Sequence, residues 1–209
     1  MKKIALVWTV TAIVILIMIV IQVVIFNKVE DHLVERNYPI KDEYVDMVEK
    51  YSDSYGVPEQ VIWSVMLVES HFEPDAVSSA KAKGLMQMTD STFRWLQSKI
   101  DDAPETELPP EMLFDPETNI KYGVFYLSML YERFGEWELV YAAYNAGPTR
   151  VSTWLQSEEY AEDGKLVHIP FKETENYVKR VRDAVKMYDE YYYSEETDTE
   201  IETEYAEET

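Results

Sequence analysis

Cysteine is absent from the 209-residue chain. That excludes a disulfide framework, thiol catalysis and cysteine-ligated metal, and it removes the residue on which a lipoprotein anchor is built. Basic residues are scarce: 19 Lys and Arg stand against 40 Asp and Glu, a net charge of -21. Such a balance excludes nucleic acid as a partner, because phosphate backbones are held by Lys and Arg. The three histidines, His32, His71 and His168, are isolated, without the spacing of a metal site. No metal and no cofactor are expected. Alternating strand runs of useful length are missing, as is any internal repeat.

One segment has no charge at all, from Ile4 to Phe26. As a helix it would span ~35 Å, enough to cross a bilayer. A cleaved signal peptide has a shorter apolar region followed by a small-residue cleavage site, and VVIFNK offers none. Residues 1–26 therefore read as a transmembrane anchor that is retained. Lys2 and Lys3 precede it, and Lys28, Arg36 and Lys41 follow, so the positive charges nearly tie on orientation.

Residues 27–41 are polar, mixed in charge and contain Pro39; they read as a juxtamembrane stalk. From Asp42 to Tyr55 the spacing of Tyr44, Val45, Val48 and Tyr55 suits an amphipathic helix. Gly56 ends it and Pro58 opens the next. Helices also fit Ser91–Lys99, Thr118–Phe134, Trp137–Asn145, Thr149–Gln156 and Glu173–Tyr193. Asp101–Pro116 holds four prolines and reads as a loop. The tail SEETDTEIETEYAEET, residues 194–209, carries eight acids and no base, a composition expected to be disordered. The fold class is mostly α, with one catalytic domain expected over 42–193.

The stretch VIWSVMLVES, Val61–Ser70, is apolar nearly all round yet ends in a glutamate. Val61, Val65, Val68 and Glu69 share one helical stripe. A carboxyl group there is disfavoured as an anion twice over, by burial and by the C-terminal end of the helix dipole. Both raise its pKa, and a neutral carboxylic acid near pH 7 is what a general acid requires. The plainer reading, that Glu69 marks the first exposed position of an ending helix, stands beside it on this segment alone.

Three blocks follow in order: ESHFEPDAVSSAKAKGLMQ, YAAYNAGPTRV and PFKETENYV. Together they resemble the catalytic domain of the soluble lytic transglycosylase family, whose fold is similar to goose-type lysozyme, over about residues 42–192. The resemblance implies cleavage of the β-1,4 bond between N-acetylmuramic acid and N-acetylglucosamine in peptidoglycan. It implies Glu69 as catalytic acid and base, with the Tyr144 hydroxyl hydrogen-bonded to it. It further implies Ser78, Gln87, Asn145, Glu173 and Tyr177 as residues of the substrate groove. Glycan strands and, through the anchor, the cell membrane are the implied partners; the sequence names no protein partner. The substrate's location implies a domain outside the cytoplasm.

The chain departs from the family pattern in three places. Lys81 stands where glycine is usual, the proline usual after GLMQ is absent, and Glu175 replaces a basic or polar residue. Met86, Met88, Trp63, Trp137 and Trp154 read as packing residues rather than ligand contacts. A hydrolytic lysozyme on the same fold is the near alternative, with Asp75 or Asp90 as its second acid. A catalytically silent wall-binding protein is the other.

Overall fold

The computed structural model describes residues 2–100 and 106–194, except for the side chains of 2–7, 9–14 and 27. The chain divides into two units, Met1–Pro39 and Ile40–Thr209.

The first unit is one helix, α1, Lys2–Asn37. It runs straight through most of the segment expected as a stalk. Nothing breaks it until Pro39, which disfavours helical geometry at the residue before it. From Ile15 to Phe26 its large apolar side chains are each half or more exposed. Among the described residues no helix is long and apolar enough to cross a membrane. The expected anchor falls partly on side chains outside that description.

The second unit is helical. A 3₁₀ turn at Asp42–Tyr44 leads into α2, Val45–Tyr55. Gly56, at φ 64°, ends α2 in the left-handed region, and Pro58 caps α3, Glu59–Ser70. Thr89 caps α4, Asp90–Gln97, by accepting from the Thr92 amide. The proline-rich connection holds a 3₁₀ turn at Pro110–Phe114; its first part, 101–105, lies outside the described residues. Asp115 caps α5, Pro116–Phe134, through the Thr118 amide at 2.9 Å, with Pro116 in the first turn. Then come α6, Trp137–Ala146, and α7, Pro148–Leu155. A two-residue antiparallel pair, β1 (Ala161–Glu162) and β2 (Lys165–Leu166), follows, within what a mostly α fold allows. The last helix among the described residues, α8, Lys172–Tyr188, widens into a π turn at Asp189–Tyr193. The acidic tail beyond 194 lies outside the described residues.

The core sits where α3 packs on α8, α2 on α5, and α6 on both α5 and α8. Val61, Ile62, Trp63, Val65 and Met66 bring α3 into it with almost no exposed surface. Each such side chain contributes roughly 1.5–3 kcal/mol on burial. Trp63 and Trp154 are buried, and Met86 and Met88 are core residues, as read. Trp137 stacks on Tyr131 and Tyr141.

Candidate active site

Glu69 lies in the last turn of α3, where burial of the preceding residues has fixed the helix. The chain leaves that helix through two consecutive left-handed residues, His71 (φ 53°) and Phe72 (φ 66°). Non-glycine residues rarely take this conformation, and pairs of them cluster where structure is held under constraint. Burial of Phe72 against the Trp63 ring, 6.1 Å between centroids, offsets the cost. Four of the five left-handed non-glycine residues among those described (His71, Phe72, Lys81, Gln87) lie in the α3–α4 connection, so strain concentrates beside the acid.

Burial pushes the Glu69 carboxyl up to about 7, against the opposing pull of the Tyr177 hydroxyl and the Arg180 charge. The Tyr177 hydroxyl is buried and reaches no regular hydrogen bond among the described residues. It lies close enough to Glu69 that donation toward the carboxylate lowers its pKa. Arg180 follows Tyr177 by three positions and so shares its side of α8. No second carboxylate among the described residues contributes to the Glu69 shift. Asp90 is occupied by Lys83 at 2.7 Å, and Asp75 is an exposed loop residue.

Tyr144 differs from expectation. Its hydroxyl donates to the Met86 carbonyl at 2.8 Å, not to Glu69. That carbonyl belongs to the Gly84–Gln87 turn, closed by the Gln87 backbone amide on the Gly84 carbonyl at 3.1 Å. Tyr144 still sits close enough for the Glu69 charge, after burial, to raise its pKa. The tyrosine whose hydroxyl opposes the rise of the Glu69 pKa is Tyr177, which the resemblance implies in the substrate groove.

The connection after α3 is stitched together by its own polar groups. Ser70, beside Glu69, donates its hydroxyl to the Leu85 carbonyl at 2.7 Å. Gln87 turns its amide onto the Ala76 and Gly84 carbonyls, at 3.1 and 2.9 Å. Ser78 is exposed, and its hydroxyl accepts from the Ala82 amide at 3.1 Å. The Ser78–Ala82 turn forms with Lys81 in the left-handed region at φ 61°, so lysine replaces glycine without opening it. Gly84, at φ 76°, admits no side chain: a Cβ would meet the Asn119 amide and the Leu113 carbonyl.

Asn145 and Glu173 are brought together on the same face. The Asn145 carboxamide oxygen accepts from the buried Thr174 hydroxyl at 2.8 Å, tying α6 to the start of α8. Both residues, with Arg150, Phe171 and Thr174, line a cavity of about 370 Å³. A larger one, about 640 Å³, borders the β1–β2 hairpin and the α8 side chains Lys172, Lys179 and Arg182; its acids and bases are mostly paired with one another. Sequence reasoning missed Ser70, Asn119 and Arg180. Arg180 was signalled by its i+3 relation to Tyr177. Asn119 was signalled as a polar residue on the stripe shared with Gly123, Tyr126 and Leu130.

Residues 46–167 match the transglycosylase SLT domain. The chain is 37% identical over 175 residues to the soluble lytic murein transglycosylase of Escherichia coli K12, covering 82% of this chain and 26% of that protein. It is 30% identical over 191 residues to the membrane-bound lytic murein transglycosylase C of Serratia proteamaculans, covering 81% and 52%. The X-ray structure of an inactive glutamate-to-glutamine mutant of the lytic transglycosylase Slt from Pseudomonas aeruginosa superposes with a TM-score of 0.63 at 30% identity, over 73% of this chain and 24% of that one. The chain thus spans about a quarter of the soluble relatives' length and half of the membrane-bound one. A match over more than half of its residues, carried on a shared helical fold, establishes that the chain belongs to the transglycosylase SLT domain family.

Proposed function

We propose that the protein is a peptidoglycan lytic transglycosylase, cleaving between N-acetylmuramic acid and N-acetylglucosamine with formation of a 1,6-anhydromuramic end. One observation carries the reading. Glu69, in the last turn of α3, has its carboxyl pKa raised by burial to about 7, and no second acid among the described residues contributes to that shift.

Protonated Glu69 donates to the glycosidic oxygen as the bond breaks, and an oxocarbenium-like centre develops on the muramic sugar. The Tyr177 hydroxyl and the Arg180 charge, both of which favour the ionised form, take up the new carboxylate. That carboxylate then accepts the proton of the sugar's own C6 hydroxyl, whose oxygen attacks C1 and closes the anhydro ring. The nucleophile is tethered, so most of its entropic cost is already met. Asn145, Glu173, Ser78 and Gln87 are assigned to the glycan groove, the last two by shaping its wall. The inactive Slt mutant, altered at a glutamate, supports a glutamate as the catalytic group in this family.

The uncharged run in α1 and the membrane-bound relative support an N-terminal anchor with the domain outside the cytoplasm. On this reading residues 1–26 anchor, 27–41 space, 42–193 catalyse, and 194–209 form an acidic extension. Replacement of Glu69 by Gln tests the catalytic assignment. The amide cannot donate the proton, so cleavage of purified peptidoglycan should fall by about 10²–10⁴. Retained cleavage would move the role to another acid. The lysozyme alternative is weakened by the ion pair that occupies Asp90.

A further inference from the structure

The carboxamide of Asn119 is completely buried, and both its N–H groups and its oxygen are hydrogen-bonded. Its oxygen accepts from the Met86 amide at 2.7 Å. Its nitrogen donates to the Lys83 carbonyl at 2.9 Å and the Leu113 carbonyl at 2.7 Å. Gly84 lies against it with no room for a side chain. One amide on α5 thus grips both ends of the turn Lys83–Met86. The same turn accepts two further hydroxyls: the Leu85 carbonyl takes that of Ser70, next in sequence to Glu69, and the Met86 carbonyl takes that of Tyr144. Gly123, on the same stripe of α5, has no Cβ to displace the Met86 side chain.

We propose that Asn119 is a positioning residue for Glu69, acting through the Lys83–Met86 turn, which holds the hydroxyl of Ser70, the residue next to the acid in sequence, and that of Tyr144. The Met86 amide that Asn119 holds belongs to the same peptide unit as the Leu85 carbonyl bonded to Ser70, and the Met86 carbonyl bonded to Tyr144 follows on the same residue. The groups that face Glu69 are Tyr144 from α6 and Tyr177 and Arg180 from α8. Of these, only Tyr144 is held by the turn. Releasing the turn therefore admits water on the Tyr144 side while the α8 pair stays in place. The catalytic consequence rests on the reading of Glu69 as the acid; the positional claim does not.

The test is therefore made first without substrate. The Glu69 carboxyl is titrated by carbon-13 NMR in the full-length protein and in Asn119→Ser, with Glu69→Gln assigning the signal. Leu96→Ala serves as a comparably buried but remote destabilising control. The expected result is a Glu69 midpoint lowered by about one unit in Asn119→Ser and unmoved in Leu96→Ala, because only the first change hydrates the acid. The alkaline limb of kcat/KM on peptidoglycan should move down with it, and kcat should fall by about tenfold or more. If the serine chain does not fold, Asn119→Asp, which keeps an acceptor facing Met86, takes its place. An unmoved midpoint in a folded variant, with melting temperature lowered as in Leu96→Ala, would overturn the proposal and leave Asn119 a fold residue. A moved midpoint in a protein that does not cleave glycan would instead sustain the positioning claim and count against the enzymatic reading.

Discussion

Replacing Glu69 by Gln should stabilise the protein at pH 8 and leave it nearly unchanged at pH 4. The carboxyl pKa rises from 4.5 to about 7 on folding, chiefly through burial. Between those values the folded state binds the proton more tightly than the unfolded chain, so wild-type stability falls as pH rises through that window. Below 4.5 the acid is neutral in both states and no penalty applies. Above 7 it is ionised in both, and the penalty of keeping the anion buried is complete. A shift of this size, at 1.36 kcal/mol per unit, corresponds to about 3 kcal/mol. The glutamine side chain has nearly the same shape and never carries that charge. For a domain of this size ~3 kcal/mol is roughly 6–12 °C in melting temperature. Thermal melts of both proteins at pH 4, 6 and 8 read it directly. The gap should open with pH in favour of the variant. A gap of constant size, or one that favours wild type at pH 8, would show that Glu69 is not held neutral by its surroundings.

Five further outcomes are expected. Activity should be flat below about pH 7 and decline tenfold per unit above it, as the general acid loses its proton; a pH–rate profile of kcat/KM checks this. Tyr144→Phe leaves the Met86 carbonyl without its donor and should cost about 1–3 kcal/mol in denaturant melts, with a loss of cleavage. Lys81→Gly relieves a left-handed lysine and should raise stability by up to about 1 kcal/mol while leaving the Ser78–Ala82 turn intact, whereas Gly84→Ala should be strongly destabilising because its Cβ meets Asn119. Protease added to intact protoplasts should remove the domain carried by α1; full protection would reverse the proposed topology.

Much of the helical framework was legible because its signals are local. Gly56 and Pro58 bracket the α2–α3 junction, and the apolar wrap of Val61–Met66 announces a buried α3 with Glu69 at its end. Boundaries moved by a residue or two where caps decided them, as at Thr89 and Asp115. What could not be read was which polar groups meet. Tyr144 and Tyr177 are tyrosines of two different helices, α6 and α8, and nothing in their local sequence tells that the first bonds to the Met86 carbonyl while the second acts on Glu69. Asn119 lies 50 residues from the acid in sequence and reaches it through two intervening hydrogen bonds. Nor did the polar segment 27–41 show that α1 continues to Asn37, since polar residues are compatible with helix and only Pro39 interrupts.

The central claim is that one carboxyl group performs the cleavage, with the sugar's own hydroxyl in place of water. Digestion of purified peptidoglycan in ¹⁸O-labelled water, followed by mass spectrometry of the muropeptides, tests it most directly. The account predicts 1,6-anhydromuramic ends without ¹⁸O. Predominantly reducing ends carrying one ¹⁸O would contradict it, identify a hydrolase, and require a second acid such as Asp75 or Asp90 to reach the site.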